Sequence, residues 1–231
     1  MGETGDTLTW LDGDPPVAVL CRVSARARRI SLRVSSLDGR VTLTRPRSVS
    51  ERAALRFAAS KADWLRVQTA RVTPARAVEL GTMVPVAGAP CRVVAGRPGL
   101  AAGEIRVREG RPVGPQVAAI LKETARARLS YAVARHAATV HRTPGRLSLR
   151  DTRSRWGSCT HRGDLMFSWR LVMAPDAALD YVAAHEVAHL VHMDHSAAFW
   201  SVVEGMRPDW RRQRDWLRVE GSALHAWRFD D

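Results

Sequence analysis

Residues 185–195 read HEVAHLVHMDH, four histidines and a glutamate in one short run. No other stretch restricts the fold so tightly. His185 and His189 are four apart, so a helix projects both imidazoles from one face and lets them share one ion. Glu186 follows the first histidine, the position from which a carboxylate beside a metal takes a proton from water rather than ligating the ion. Catalytic zinc takes three protein ligands and keeps a fourth place open, so a further donor is needed. His192 lies on nearly the same helical face as His185, but about 10.5 Å further along the axis at 1.5 Å per residue. His195 follows His189 at the spacing of HExxHxxGxxH sites, where the chain leaves the helix and turns back to the metal. That spacing favours His195. The glycine of the pattern is His192 here, so His192 or Asp194 is expected to adopt the left-handed conformation that glycine ordinarily supplies.

The remaining chain must provide a body that buries this helix. With 231 residues, 45% of them hydrophobic, it can bury a core as one large domain or two small ones. Over 17–44 the runs VAVLCRV, RRISLRVSS and VTLTRP, with an Asp-Gly turn before the last, predict a hairpin or meander. Ser50 can cap a helix in which Leu55, Ala58, Ala59, Ala62 and Leu65 recur at helical spacing. Strands punctuated by Gly and Pro follow from 83 to 107, and EGRPVGPQ at 109–116 is the candidate linker. A long helix is expected over about 116–141, with Val117, Leu121, Ala125, Leu129 and Val133 on one stripe. A second hairpin should flank the Thr-His-Arg-Gly-Asp turn at 160–164. Pro175 and Asp176 then open the histidine helix. These elements predict an α+β fold: a β-rich region with a covering helix over 1–112, and a domain over 113–231 in which a hairpin or sheet packs on the histidine helix.

Charge and cysteines narrow the setting. Cys21, Cys91 and Cys159 form no CxxC pair, which fits a reducing cytoplasm and argues against a thiolate zinc site. The N-terminus is acidic where a secretory signal is basic, and no apolar run reaches the roughly 20 residues of a membrane span. A soluble cytoplasmic protein without a membrane partner is expected. The net charge of +13 raises nucleic acid as a partner. However, only Lys61 and Lys122 are lysines and arginines are spread along the chain, so the charge does not single out a binding stripe.

TRSRWGSC at 152–159, FSWRLVMAP at 167–175, LDYVAAHEVAHL at 179–190 and HSAAFW at 195–200 resemble the YgjP-like metallopeptidases, also called the domain of unknown function 45 group, related to SprT-like and WLM zinc proteases. RVSARARRISLRV is similar to the family's opening strands, so the resemblance covers most of the chain. It implies a zincin-like domain, His185, His189 and His195 as ligands of one zinc per chain, and Glu186 as the catalytic glutamate. The family's usual asparagine before the helix is replaced by Ser168. Arg155, Trp156 and Ser168 are candidate substrate-binding residues, although packing under the helix is the preferred reading of Arg155 and Trp156. Cys159 as a fourth ligand would close the position that water needs. The leading expectation is a zinc-dependent peptidase acting on a peptide or protein. The alternative is a module that keeps the zincin fold and serves as a nucleic-acid or protein adaptor, or acts on DNA-bound proteins.

Overall fold

The computed structural model describes residues 6–35, 38–70 and 72–230. The chain divides into two compact units, 1–75 and 76–231. This differs from the boundary expected at 112/113. The strands from Met83 to Val107 share a core with the C-terminal helices, and EGRPVGPQ is no linker, because a helix starts within it at Val113.

The N-terminal unit contains β1 (Thr7–Leu11), β2 (Val17–Val23), β3 (Ser31–Val34) and β4 (Val41–Arg45) in the order β1-β2-β4-β3. β2 and β4 pair in parallel, and the outer pairs are antiparallel. Alternate residues of the two central strands, Val17, Val19, Cys21, Val41 and Leu43, point into one core, as period-two side chains require. Helices α1 (Glu51–Ala59) and α2 (Ala62–Ala70) add Ala54, Ala58 and Leu65 to it. Ser50 caps α1, accepting from the Ala53 amide at 3.3 Å. The single helix expected here is broken at Ser60, whose hydroxyl donates to the Phe57 carbonyl at 2.8 Å, a local bond that competes with helix continuation.

In the C-terminal unit, β5 (Arg76–Ala77) precedes β6 (Met83–Val86), β7 (Ala89–Ala95), β8 (Gly99–Ala101) and β9 (Glu104–Val107), the last four forming a sheet ordered β6-β7-β9-β8. The turn joining β6 to β7 has positive φ at Ala87 (57°) and Gly88 (76°), as a two-residue hairpin loop needs. Its amides reach the Val172 and Met173 carbonyls at 2.8 and 3.2 Å. A Cβ on Gly88 would lie 3.2 Å from the Pro175 Cα. The hairpin tip is thereby pinned to the chain just before the histidine helix.

Helix α3 (Val113–Thr139) buries Val117, Leu121, Ala125, Leu129 and Val133, the predicted stripe. β10 (Leu147–Arg150), β11 (Gly157–Cys159) and β12 (Leu165–Ser168) form a sheet in the order β10-β12-β11. The hairpin around residues 160–164 is β11–β12, and β10 adds a parallel strand on the other side of β12. A 3-10 turn at Trp169–Met173 leads to α4 (Asp176–Ala188), followed by α5 (Ala197–Met206), α6 (Trp210–Val219) and β13 (Trp227–Arg228), which pairs with β5. The fold is α+β as expected. No helix of the described residues is long and apolar enough to cross a membrane.

Two buried polar anchors hold this unit. Asp180 of α4 meets His136 of α3 at 3.1 Å, Arg207 after α5 at 2.9 Å, and Arg135. Arg170 binds Asp151 through two nitrogens at 2.6 and 3.1 Å, and the carbonyls of Leu224 and Trp227 at 2.9 and 3.0 Å. One guanidinium thus ties the approach to the site helix to the C-terminal segment.

Candidate active site

Helix α4 places His185 and His189 one turn apart, and ring nitrogens of His185, His189 and His195 all lie within 4.8 Å of one another. Nε2 of His185 and Nε2 of His195 are 3.2 Å apart. His192 contributes its backbone, not its ring: its carbonyl oxygen is 3.0 Å from Nδ1 of His189. A carbonyl only accepts, so Nδ1 of His189 carries the proton and Nε2 keeps its lone pair.

The return from α4 to His195 is made without the expected left-handed residue. Among the described non-glycine residues, positive φ occurs at Ala87, Ala102 and His141, and not at His192 or Asp194. The last amides of the helix turn tighter instead, Leu190 to the Val187 carbonyl and Val191 to the Ala188 carbonyl at 2.9 and 3.0 Å. Asp194 then accepts from the Ser196 amide at 3.2 Å, and Ser196 caps α5 by accepting from the Phe199 amide at 3.4 Å. A chain of short-range caps replaces the glycine. Phe199, fully buried, stands 4.5 to 5.0 Å from all three imidazoles, and Trp200, which flanks His195, stacks on Trp210 at 4.2 Å.

Glu186 is 5% exposed and lies against β11. A Cβ on Gly157 would come within 2.5 Å of Glu186 Oε1 and 2.6 Å of its Cγ, so only glycine leaves room for this carboxylate. Burial pushes the Glu186 carboxyl up to about 8, with Arg155 pulling the other way. His185 is pushed down to about 3, by burial first and then by the charges of its histidine neighbours and Arg214. His189 is lowered too, again chiefly by burial. Burial also holds Tyr181 up at about 12 and Cys159 at about 11, both far from ionising at neutral pH.

A cavity of about 330 Å³ opens over this group, its wall including His185, Glu186, Gly157, Tyr181, Arg155 and Arg214. Arg155 and Trp156 therefore face the cavity, and Trp156 also stacks on His225 at 5.1 Å. Packing and lining are both true of Trp156. Ser168 does not reach substrate: it is fully buried at the end of β12, outside the cavity lining, and its hydroxyl has no partner among the described residues. Gly157, Tyr181 and Arg214 are cavity residues that the sequence reading does not single out. Tyr181 sits four residues before His185, so helical spacing alone could flag it, whereas Arg214 arrives from α6.

The YgjP-like metallopeptidase domain matches residues 28–220. The chain belongs to this YgjP-like family. No curated protein and no solved structure gives a match. The YgjP-like match contains the three histidines, Glu186, Gly157 and Arg214, and the family implies a metal ion.

The residues of this YgjP-like chain fit one. Two Nε2 atoms 3.2 Å apart repel unless a proton or a cation lies between them. Nitrogens sharing a tetrahedral ion at about 2.0–2.1 Å stand about 3.3 Å from each other. The cluster is all imidazole, with His185 held neutral at physiological pH, and neutral imidazole is a preferred donor for zinc.

Proposed function

We propose that the protein is a zinc-dependent peptidase in which His185, His189 and His195 hold one zinc per chain and Glu186 is the general base. The observation that carries this reading is the placement of Glu186 on the wall of the same cavity as His185, directly beside the three-histidine cluster. Bound zinc supplies Lewis acidity and makes water at the site easier to deprotonate. Glu186, desolvated and free of any hydrogen bond among the described residues, is a strong enough base to take that proton. It then returns the proton to the departing amine. Gly157 keeps the carboxylate in line by leaving it a slot against β11, and Phe199 packs against all three imidazoles and helps to orient them.

An extended peptide can add to a free strand edge. β12 has both edges occupied, by β10 and β11, and offers no edge to a peptide. β11 has only β12 as a neighbour among the described residues, and it borders Glu186, which makes β11 the strand on which a substrate would lie.

Metal analysis by plasma mass spectrometry tests the ligands: about one zinc per chain is expected in the wild type and in His192→Ala, with loss in His195→Ala. Glu186→Gln should keep its zinc and lose turnover. A Glu186→Gln protein that hydrolyses peptides at the wild-type rate refutes the assigned role.

A further inference from the structure

Three arginines, Arg155, Arg214 and Arg218, line the cavity beside Glu186, the only carboxylate in its wall among the described residues. They are not equivalent. Arg218 pairs with Asp215 at 3.3 Å, so its charge is already answered. Arg155 and Arg214 form no ion pair with any described residue. The Arg214 guanidinium lies over the Trp200 ring at 5.4 Å, a contact that steadies the plane and leaves its N–H edge available. Arg155 follows the Arg153–Ser154 bend and acts electrostatically on Glu186. Trp156, Val182 and Leu217 give the same cavity apolar surface. At about 330 Å³ the space is at the small end of ligand pockets and suits a side chain or a chain terminus.

We propose that Arg155 and Arg214 form a specificity subsite that takes a carboxylate of the substrate next to the bond being cleaved. The inference rests on the peptidase reading above and adds the substrate class: peptides bearing an acidic side chain, or a free C-terminal carboxylate, at that position. Guanidinium and carboxylate match as two parallel hydrogen bonds, and two cavity-lining arginines without an ion pair among the described residues favour a carboxylate over a neutral group in the same place. Both are specificity residues, since neither is placed to move the reacting proton.

The test uses three peptides of matched length: an N-acetylated, C-amidated alanine pentapeptide with a central glutamate, its glutamine twin, and the glutamine peptide with a free C-terminal carboxylate. Binding to the full chain is measured by calorimetry, with the metal-free protein and with zinc-loaded Glu186→Gln, so that neither cleavage nor the ion supplies the preference. At least one charged peptide should bind about tenfold tighter than the neutral one, a usual size for a charge-assisted pair, and which one does identifies the source of the carboxylate. The preference should fall below about twofold in the Arg155→Gln/Arg214→Gln double variant, whose thermal midpoint confirms that it folds. Equal binding of all three peptides, no binding of any, or a preference that survives the double variant overturns the proposal. A charge preference that holds while zinc-loaded wild type cleaves none of the three would count against the peptidase reading and leave the subsite standing.

Discussion

Of the acidic residues on helix α4, Asp180 and Glu186 are treated by the fold in opposite ways. Asp180 is answered by His136, Arg135 and Arg207 from two other parts of the chain. Burial disfavours its charge, but His136 and Arg135 outweigh burial and hold the carboxyl below the usual range. Glu186, two turns further along, is more deeply buried and has neither a hydrogen bond nor an ion pair among the described residues, and burial raises it to about 8. A buried polar group is normally satisfied. The two ends of one helix therefore separate two uses of a carboxylate: Asp180 locks α3, α4 and the end of α5 together, while Glu186 is kept unsatisfied in a cavity where a substrate can complete it.

The largest effect should come from Glu186. In Glu186→Gln we expect peptide hydrolysis to fall by about 10²–10⁴-fold, the range for a lost general base, while urea unfolding shows stability equal to or above wild type, because a carboxyl whose ionisation burial disfavours is replaced by a neutral amide of the same size. Asp180→Ala should do the reverse. It strands His136 and Arg207 and should cost about 3 kcal/mol in the same unfolding assay, near the value for a broken buried pair, with zinc still bound in the folded fraction. If Asp180→Ala unfolds like wild type, or Glu186→Gln is the less stable protein, the division of labour along α4 is wrong.

Local signals along α4 are legible in the amino-acid sequence. The i, i+4 histidines, the adjacent glutamate and the spacing to His195 all depend on chain geometry over a few turns. The stripe on α3 and the Ser50 cap are equally local. What the sequence hides depends on contacts between distant segments. The strands from 83 to 107 look like those before residue 45, because alternation reports that a strand is half-buried and says nothing of which core it joins. Proline and glycine at 112–115 look like a linker, yet Pro112 precedes the helix and Pro115 sits in its first turn, where proline is tolerated. Arg214 lies in a basic tail that reads as an ordinary solvated helix face, and only the return of α6 onto α4 puts it in the cavity. The left-handed turn is an expectation by analogy with glycine, and a series of caps makes it unnecessary.

Gly157 sharpens the comparison from the other side of Glu186. It is not in a left-handed conformation, so the residue is needed for space alone. Gly157→Ala would put a methyl within 2.5 Å of the Glu186 carboxylate, and the side chain must swing aside. A misplacement near 1 Å can cost about 100-fold in rate, and that is the loss expected, with zinc content by mass spectrometry unchanged. Wild-type activity in a folded Gly157→Ala protein would mean that Glu186 works from more than one position.

The smallest effect concerns pH and separates satisfied from unsatisfied groups away from the histidine cluster. His225 stacks on Trp156, and burial, with Arg170 adding to it, lowers its folded value from 6.5 to about 4. Folding therefore favours the neutral ring. The stability tied to His225 is complete above about pH 6.5 and is lost as pH falls towards 4, by about 1 kcal/mol once its partial exposure is allowed for. Asp180, whose folded value lies below 3.8, contributes stability that is present above about 3.9 and is lost only as pH drops below that. Thermal midpoints of wild type and His225→Gln from about pH 7 to 4 should therefore converge as the medium acidifies, while the gap between wild type and Asp180→Asn stays constant over that interval and closes only in stronger acid. A gap for Asp180→Asn that already shrinks between about pH 6.5 and 4 would contradict the assignment of that stability to the Asp180 carboxylate alone.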